Sequence, residues 1–205
     1  MTHASGNWLL RHSAVVHDRF VRIRSDTYTL PNGRAADWEI IDSADSVFVI
    51  ALVDEGRSAV VFNQFRPGPA RILAELPGGY IDADEPIEAA GVRELLEETG
   101  YLAADTVYAG WEWTDARSTR KKHAVIAWNS VWNGAPARDS LETGSIDIVN
   151  AAAFLDLLLS GALTDAGAAV RAIIWAAKTE VGESLHHRAV NAWARSLLTG
   201  CLGTS

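Results

Sequence analysis

The sequence predicts an α+β or layered α/β/α domain behind a small N-terminal β segment. Three observations lead there. Apolar and β-branched runs recur between Phe20 and Trp132, Ala- and Leu-rich helical stretches follow from Asn150, and one acidic helical stretch, residues 78–101, interrupts the strands.

In chain order, FVRIR (20–24) alternates as a strand. DTYTL and ADWEII then flank PNGR, where Asn32-Gly33 is expected to supply the positive-φ residues of a hairpin turn. VFVIALV (47–53) and SAVVFNQF (58–65) read as two buried strands joined by the turn DEGR, and ELPGGYID reads as a loop. VYAGWEW (107–113) and HAVIAWNSVW (123–132) are strand-like through their branched and aromatic residues. Helices are expected at about 150–160, 165–180 and 184–198, interrupted by Gly161 and Gly182. The expected division is 1–45 for the β segment, 46–180 for the main domain and 181–205 for a C-terminal helix and tail.

Composition bounds the function. The 205 residues carry a formal charge of −8, which argues against general affinity for nucleic acid or an anionic membrane. No apolar run approaches the ~18 residues of a membrane span, and MTHASGNWLLRH lacks a secretory apolar core. Cys201 is the single cysteine, so no intrachain disulfide can form. A cytoplasmic protein is expected.

The stretch GGYIDADEPIEAAGVRELLEETGY places seven carboxylates around one basic side chain, Arg93. Pro86 fits the first turn of a helix, Glu85 or Asp84 its cap, and Gly100 its left-handed stop. Ala89, Val92, Leu96 and Thr99 form the expected buried stripe. Glu94, Glu97 and Glu98 stand at i, i+3 and i+4, so they share a face where like charges repel. A divalent cation is the natural counter-charge. With no Cys or His ligand nearby it should be hard: Mg²⁺, with Mn²⁺ as a substitute. The turn at Gly78-Gly79 lets the backbone bend close to the ion, and Arg93 is expected to pair with Glu85. Taken alone, EETG is more often a solvated helix face. The full spacing of Gly79, Glu85, Arg93, Glu94, Glu97, Glu98 and Gly100 changes the odds. At average residue frequencies it recurs by chance on the order of once in 10⁸ windows.

This spacing resembles the Nudix box of hydrolases that act on a nucleoside diphosphate linked to another moiety. All seven charged and glycine positions match, while Tyr101 stands where Ile, Leu or Val is usual. The resemblance implies an α/β fold with a mixed sheet between helices. It also implies metal binding by Glu94, Glu97 and Glu98 with the carbonyl of Gly78, and a supporting Arg93–Glu85 pair. The flanks Gln64-Phe65-Arg66 and Glu75-Leu76-Pro77-Gly78-Gly79 are similar to ADP-ribose pyrophosphatases. That likeness implies substrate contacts at Arg66 and Glu75, a catalytic late-loop acid (Glu142 or Asp147) and a homodimer built through the β segment. Two departures stand out. The segment WEWTDARSTRKKH (111–123) lacks the proline usual beyond the box, and the late acid has two candidates.

The expected reaction is hydrolysis of the pyrophosphate of ADP-ribose or a related nucleoside diphosphate sugar. Glu98 or Glu142 would take the proton of the attacking water. Trp111 and Trp113 could stack a base. Arg117, in a basic cluster with Arg120, Lys121 and Lys122, is a candidate phosphate contact or a solvated loop residue. Trp128, Trp132, Trp175 and Trp193 are expected in the core or an interface. His123, His186 and His187 are expected in surface or packing roles. Two rivals remain: a non-catalytic ADP-ribose sensor, and a hydrolase of another nucleoside diphosphate derivative, an NADH-type dinucleotide or a nucleoside diphosphate hexose.

Overall fold

Strand pairing begins almost at once in the computed structural model, which describes residues 7–138, 143–179 and 184–202. The chain divides into two compact units, residues 1–45 with 113–121, and 46–112 with 122–205.

The first unit is a three-stranded antiparallel sheet: β1 (Leu9–Asp18), β2 (Arg22–Thr29) and β3 (Ala35–Ile41), in that order. FVRIR and DTYTL are therefore parts of one strand, β2. Only Gly33 of the turn has positive φ (81°). The Asn32 side chain instead accepts from the Arg34 N–H at 3.1 Å, closing an Asx-type turn with negative φ. β1 went unread because nearly all of LLRHSAVVHD is exposed and leaves no alternation. At the centre of this sheet Asp26 is fully buried. Burial pushes its carboxyl up, but hydrogen bonds from Ser13, Arg24 and Tyr28 outweigh that and hold it below the ordinary 3.8.

The second unit is a mixed sheet between helices. Its strands are β4 (Ser46–Val53), β5 (Ser58–Arg66), β6 (Arg71–Glu75), β7 (Gly78–Tyr80), β9 (Asp105–Trp113), β10 (Lys121–Trp128) and β12 (Gly144–Asn150). The order is β12-β5-β4-β10-β9, with β6 on β5 and β7 on β4; β4 and β10 run parallel. A two-stranded piece joins β8 (Tyr101–Leu102) to β11 (Val131–Trp132). HAVIAWNSVW is thus two strands, broken where Asn129 takes φ 51°. Trp132 is 64% exposed, whereas Trp128, Trp175 and Trp193 pack on the core.

β4 is buried along all eight residues, as a strand covered on both faces requires. Phe48, Ile50 and Leu52 face α2 (Ala151–Ser160), α3 (Ala166–Lys178) and α4 (Leu185–Leu202), packing with Phe154, Ile173, Val190 and Leu197. Val47, Val49 and Ala51 face α1 (Ile87–Thr99), packing with Ala90 and Leu95. The result is the α/β class with one helix on one face and three on the other. None of the described helices is long and apolar enough to cross a membrane.

α1 departs from expectation at its start and on its face. Pro86 is the residue just before the helix, in extended conformation, and neither Glu85 nor Asp84 caps it. Gly100 ends the helix at φ 74° as expected. The buried face is Ala90, Gly91, Glu94, Leu95, Glu98 and Thr99, while Ala89 is exposed and Val92 and Leu96 are half-buried. The stripe is rotated because two of the three glutamates point inward, where they find donors. Gly91 makes the close approach possible, since a Cβ there would stand 3.2 Å from Cγ2 of Val49.

Candidate active site

Gly78 and Gly79 lie in β7, pressed between β4 and α1. A Cβ on Gly78 would meet the Val47 carbonyl and come within 2.7 Å of Phe48 Cα. A Cβ on Gly79 would stand 2.6 Å from Cδ of Glu94. The backbone can therefore run beside the carboxylates only because both residues lack side chains. The Gly78 N–H donates to Oε2 of Glu98 at 2.8 Å, which orients that buried carboxylate.

Arg93 is the positive charge inside the acidic run. Its Nε and NH2 grip both oxygens of Glu85, each at 2.9 Å, and NH2 also reaches the Tyr80 carbonyl at 3.0 Å. Its NH1 bridges Glu94 Oε1 at 2.8 Å and Glu97 Oε2 at 3.1 Å. One guanidinium thus ties the loop before α1 to two of the three box glutamates. The Arg93 hydrogen bonds outweigh partial burial and hold the Glu85 carboxyl below its ordinary 4.5; the same contacts, led by Glu85, raise Arg93 itself. Glu94 and Glu98 are buried while the side chain of Glu97 is 44% exposed.

Arg66, at the end of β5, forms a two-pronged ion pair with Glu75, at the end of β6. Glu75 is buried and Arg66 half-exposed. The hydrogen bonds to Glu75 raise the arginine's pKa and partial burial opposes them; the charges of Glu98 and Asp165 add to the rise. Arg66 therefore stands in the field of the box helix. Asp165 in turn pairs with Lys122.

The structure brings Gly78, Glu85, Arg93, Glu94, Glu97 and Glu98 together where β7 lies against α1, with Arg66 and Glu75 a paired group beside them. Trp111 is 41% exposed on β9, and its neighbour Glu112 pairs with Arg171 at 3.1 Å. Trp113 and Arg117 belong to the first unit. There Lys121 lies 5.6 Å from the Trp113 ring, and the Arg117 guanidinium lies 5.6 Å from the ring of Trp38. Trp38 and Arg117, with Ser25, Ala36, Asp37 and Glu39, line an open cavity of about 450 Å³. Trp38 is a residue that the sequence reading missed, although its place in ADWEII puts it on a strand beside charged neighbours. Asp147 is exposed on β12 and accepts from Asn63 at 2.8 Å; Glu142 lies outside the described residues. His123 is buried and bonded to the Tyr108 hydroxyl at 3.0 Å.

The chemistry of the set is hard oxygen donors, closely grouped and held by N–H donors, which suits a divalent cation. In the present side-chain positions Arg93 supplies the counter-charge. Among the described residues, no three His, Cys, Asp or Glu side chains are arranged to hold an ion as they stand.

The chain is similar to known proteins. An ADP-ribose pyrophosphatase of Bacillus subtilis is 43% identical over 74 residues, 36% of this chain and 40% of that one. A mouse ADP-sugar pyrophosphatase is 36% identical over 93 residues, 40% of this chain and 43% of that one. A methanol dehydrogenase activator of Bacillus methanolicus is 32% identical over 92 residues, 45% of this chain and 49% of that one. The chain thus matches less than half the length of these relatives. The crystal structure of an ADP compounds hydrolase superposes with a TM-score of 0.68 over 95% of this chain and 96% of that one. At 18% identity this is a likeness of fold. The profile described as the NUDIX domain matches residues 42–166, which include the whole glycine–glutamate turn and more than half of the sequence. By that match the chain belongs to the Nudix family.

Proposed function

We propose that the protein is a metal-dependent pyrophosphohydrolase that cleaves ADP-ribose or a related nucleoside diphosphate sugar to a nucleoside monophosphate and a sugar phosphate. The observation that carries this is the packing of Glu94 and Glu98 against Gly78 and Gly79 of β7. Buried acids held so close to a side-chain-free backbone have little structural purpose of their own. The names of the Bacillus subtilis and mouse relatives support the substrate class.

Glu94, Glu97, Glu98 and the Gly78 carbonyl would hold Mg²⁺, or Mn²⁺ in its place. When bound, a divalent ion neutralises diphosphate charge and lowers the pKa of a coordinated water. The chain's own residues do the rest. Glu98 takes the proton of the attacking water, with Glu142 the alternative acceptor. Arg93 and Glu85 keep loop and helix in register. Arg66, released in part from Glu75, binds a phosphate or ribose oxygen of the substrate. Trp111 and Trp113 offer exposed rings for a base, and Arg117 a cation for the substrate.

The protein acts in the cytoplasm, as a homodimer formed through the first unit. Exposed Leu9, Leu10, Val16 and Phe20 on and after β1 support the dimer. Incubating the purified protein with ADP-ribose, nucleoside diphosphate hexoses and NADH tests the reading, with Mg²⁺, Mn²⁺ or chelator present. AMP and ribose 5-phosphate released from ADP-ribose, only with metal, is the expected result. Binding without turnover would identify a sensor, and sedimentation would report the dimer.

A further inference from the structure

α1 carries three of its four acidic groups at the wrong end, Glu88 alone lying in the first turn. Glu94, Glu97 and Glu98 occupy its last two turns, where the helix dipole is already negative, and its last turn holds no basic residue. The last carbonyls of a helix also lack partners within it. One of them is met locally, where the Gly100 N–H donates to the Leu96 carbonyl. The carbonyl of Glu98 is met from elsewhere. Arg138, forty residues on, donates from Nε to it at 2.7 Å, and from NH1 to the Gly144 carbonyl at 2.9 Å.

The guanidinium lies 4.7 Å from the centre of the Phe62 ring, which is fully buried and fixes its plane. Gly144 is equally constrained. A Cβ there would meet the Asn63 carbonyl and stand 2.8 Å from the Phe62 ring, so its carbonyl is offered from one position only.

We propose that Arg138 is a positioning residue for Glu98. It clamps the glutamate's main chain to β12 while the Gly78 N–H orients its carboxylate, so Glu98 is fixed at both ends. It also supplies the cation that the end of the helix lacks. Arg93 does something different, because it binds the carboxylates themselves and competes with any other cation for them. Arg138 offsets the same charge through the backbone and leaves the carboxylates available. The inference rests on the hydrolase reading only in assigning Glu98 to the reaction.

The test compares R138M, R138K and E98Q with the unaltered protein, using ADP-ribose and Mg²⁺. Met keeps the apolar cover over Phe62 and removes both donors and the charge. R138M is expected to lower kcat roughly 10- to 100-fold with KM little changed. In metal-free protein it should also lose hydrogen-exchange protection at the last-turn amides of α1, with the rest of the sheet unaffected. R138K restores the charge and one donor, and should regain most of both. R138Q replaces R138M as the neutral variant if the latter does not fold. Unchanged kcat in R138M beside an inactive E98Q overturns the inference alone. A rise in KM only, or R138K no better than R138M, also overturns it. Full activity in both R138M and E98Q removes Glu98 from the reaction and overturns the inference with it, whereas the absence of AMP release from the unaltered protein overturns the hydrolase reading itself.

Discussion

Gly79 and Glu94 are in such close register that a methyl group on the glycine would lie 2.6 Å from the glutamate's carboxylate carbon. The obstacle is the far end of a side chain, which can swing away. At Gly78 the obstacle is the backbone of Val47 and Phe48, which cannot. G79A should therefore fold with a near-normal melting temperature and lose at least ~10-fold in turnover as Glu94 is displaced. G78A should lose stability, by roughly 1–3 kcal/mol. Thermal melts beside turnover assays separate the two, and equal behaviour of the variants would contradict the packing.

Glu98→Gln keeps an oxygen for the Gly78 N–H and removes the charge and basicity. Its stability should match the unaltered protein while turnover of ADP-ribose falls ~10²- to 10⁴-fold. Unfolding curves and AMP release measure both. An active E98Q would remove Glu98 from the reaction.

Acid should weaken both units through identified carboxylates. Glu85 and Asp26 have native pKa values below their ordinary 4.5 and 3.8. A carboxyl lowered on folding stabilises the native state fully above its ordinary value, and that contribution fades as pH falls through the native value. The stability lost in E85Q or D26N should thus be constant near neutrality and shrink below about pH 4.5 and 3.8 respectively. Urea titrations across pH 2–7 would show it. A deficit that grows on acidification would have the wrong sign.

R66M leaves the buried Glu75 carboxylate without its arginine. Because Arg66 is half-exposed, the cost should be about 1–2 kcal/mol, well short of a fully buried pair. Adding E75L should recover part of it, since no charge is then stranded. Under the proposed function both variants raise KM. A double-mutant cycle in urea, with parallel kinetics, distinguishes the structural part from the binding part.

The acidic turn was legible because punctuation marks it: Pro86 stands just before α1 and Gly100 just after. What the pattern could not give was rotation. Periodicity places carboxylates outward, yet Glu94 and Glu98 are buried because Arg93, on the same helix, satisfies the first and the Gly78 N–H, from β7, satisfies the second. The three C-terminal helices were read nearly to their ends, since Gly161 and apolar spacing are local signals. The late loop expected to carry Glu142 or Asp147 is in part a strand, since 144–150 form the edge strand β12 and hold Asp147. Its Ile146 and Ile148 alternate, but what makes it a strand is pairing with β5, more than eighty residues earlier. Arg138 carries no local signal at all. Its partners, Glu98 and Gly144, are joined to it only by the folded chain.

Asn150 is both the last residue of β12 and the residue whose side chain caps α2, accepting from the Ala153 N–H at 2.9 Å. Strand and helix therefore meet without slack. One residue inserted at this junction would turn α2 about 100° around its axis and carry Phe154 out of the core. Evolution has little freedom to lengthen the chain there, so variation in this part of the molecule must come by exchanging side chains.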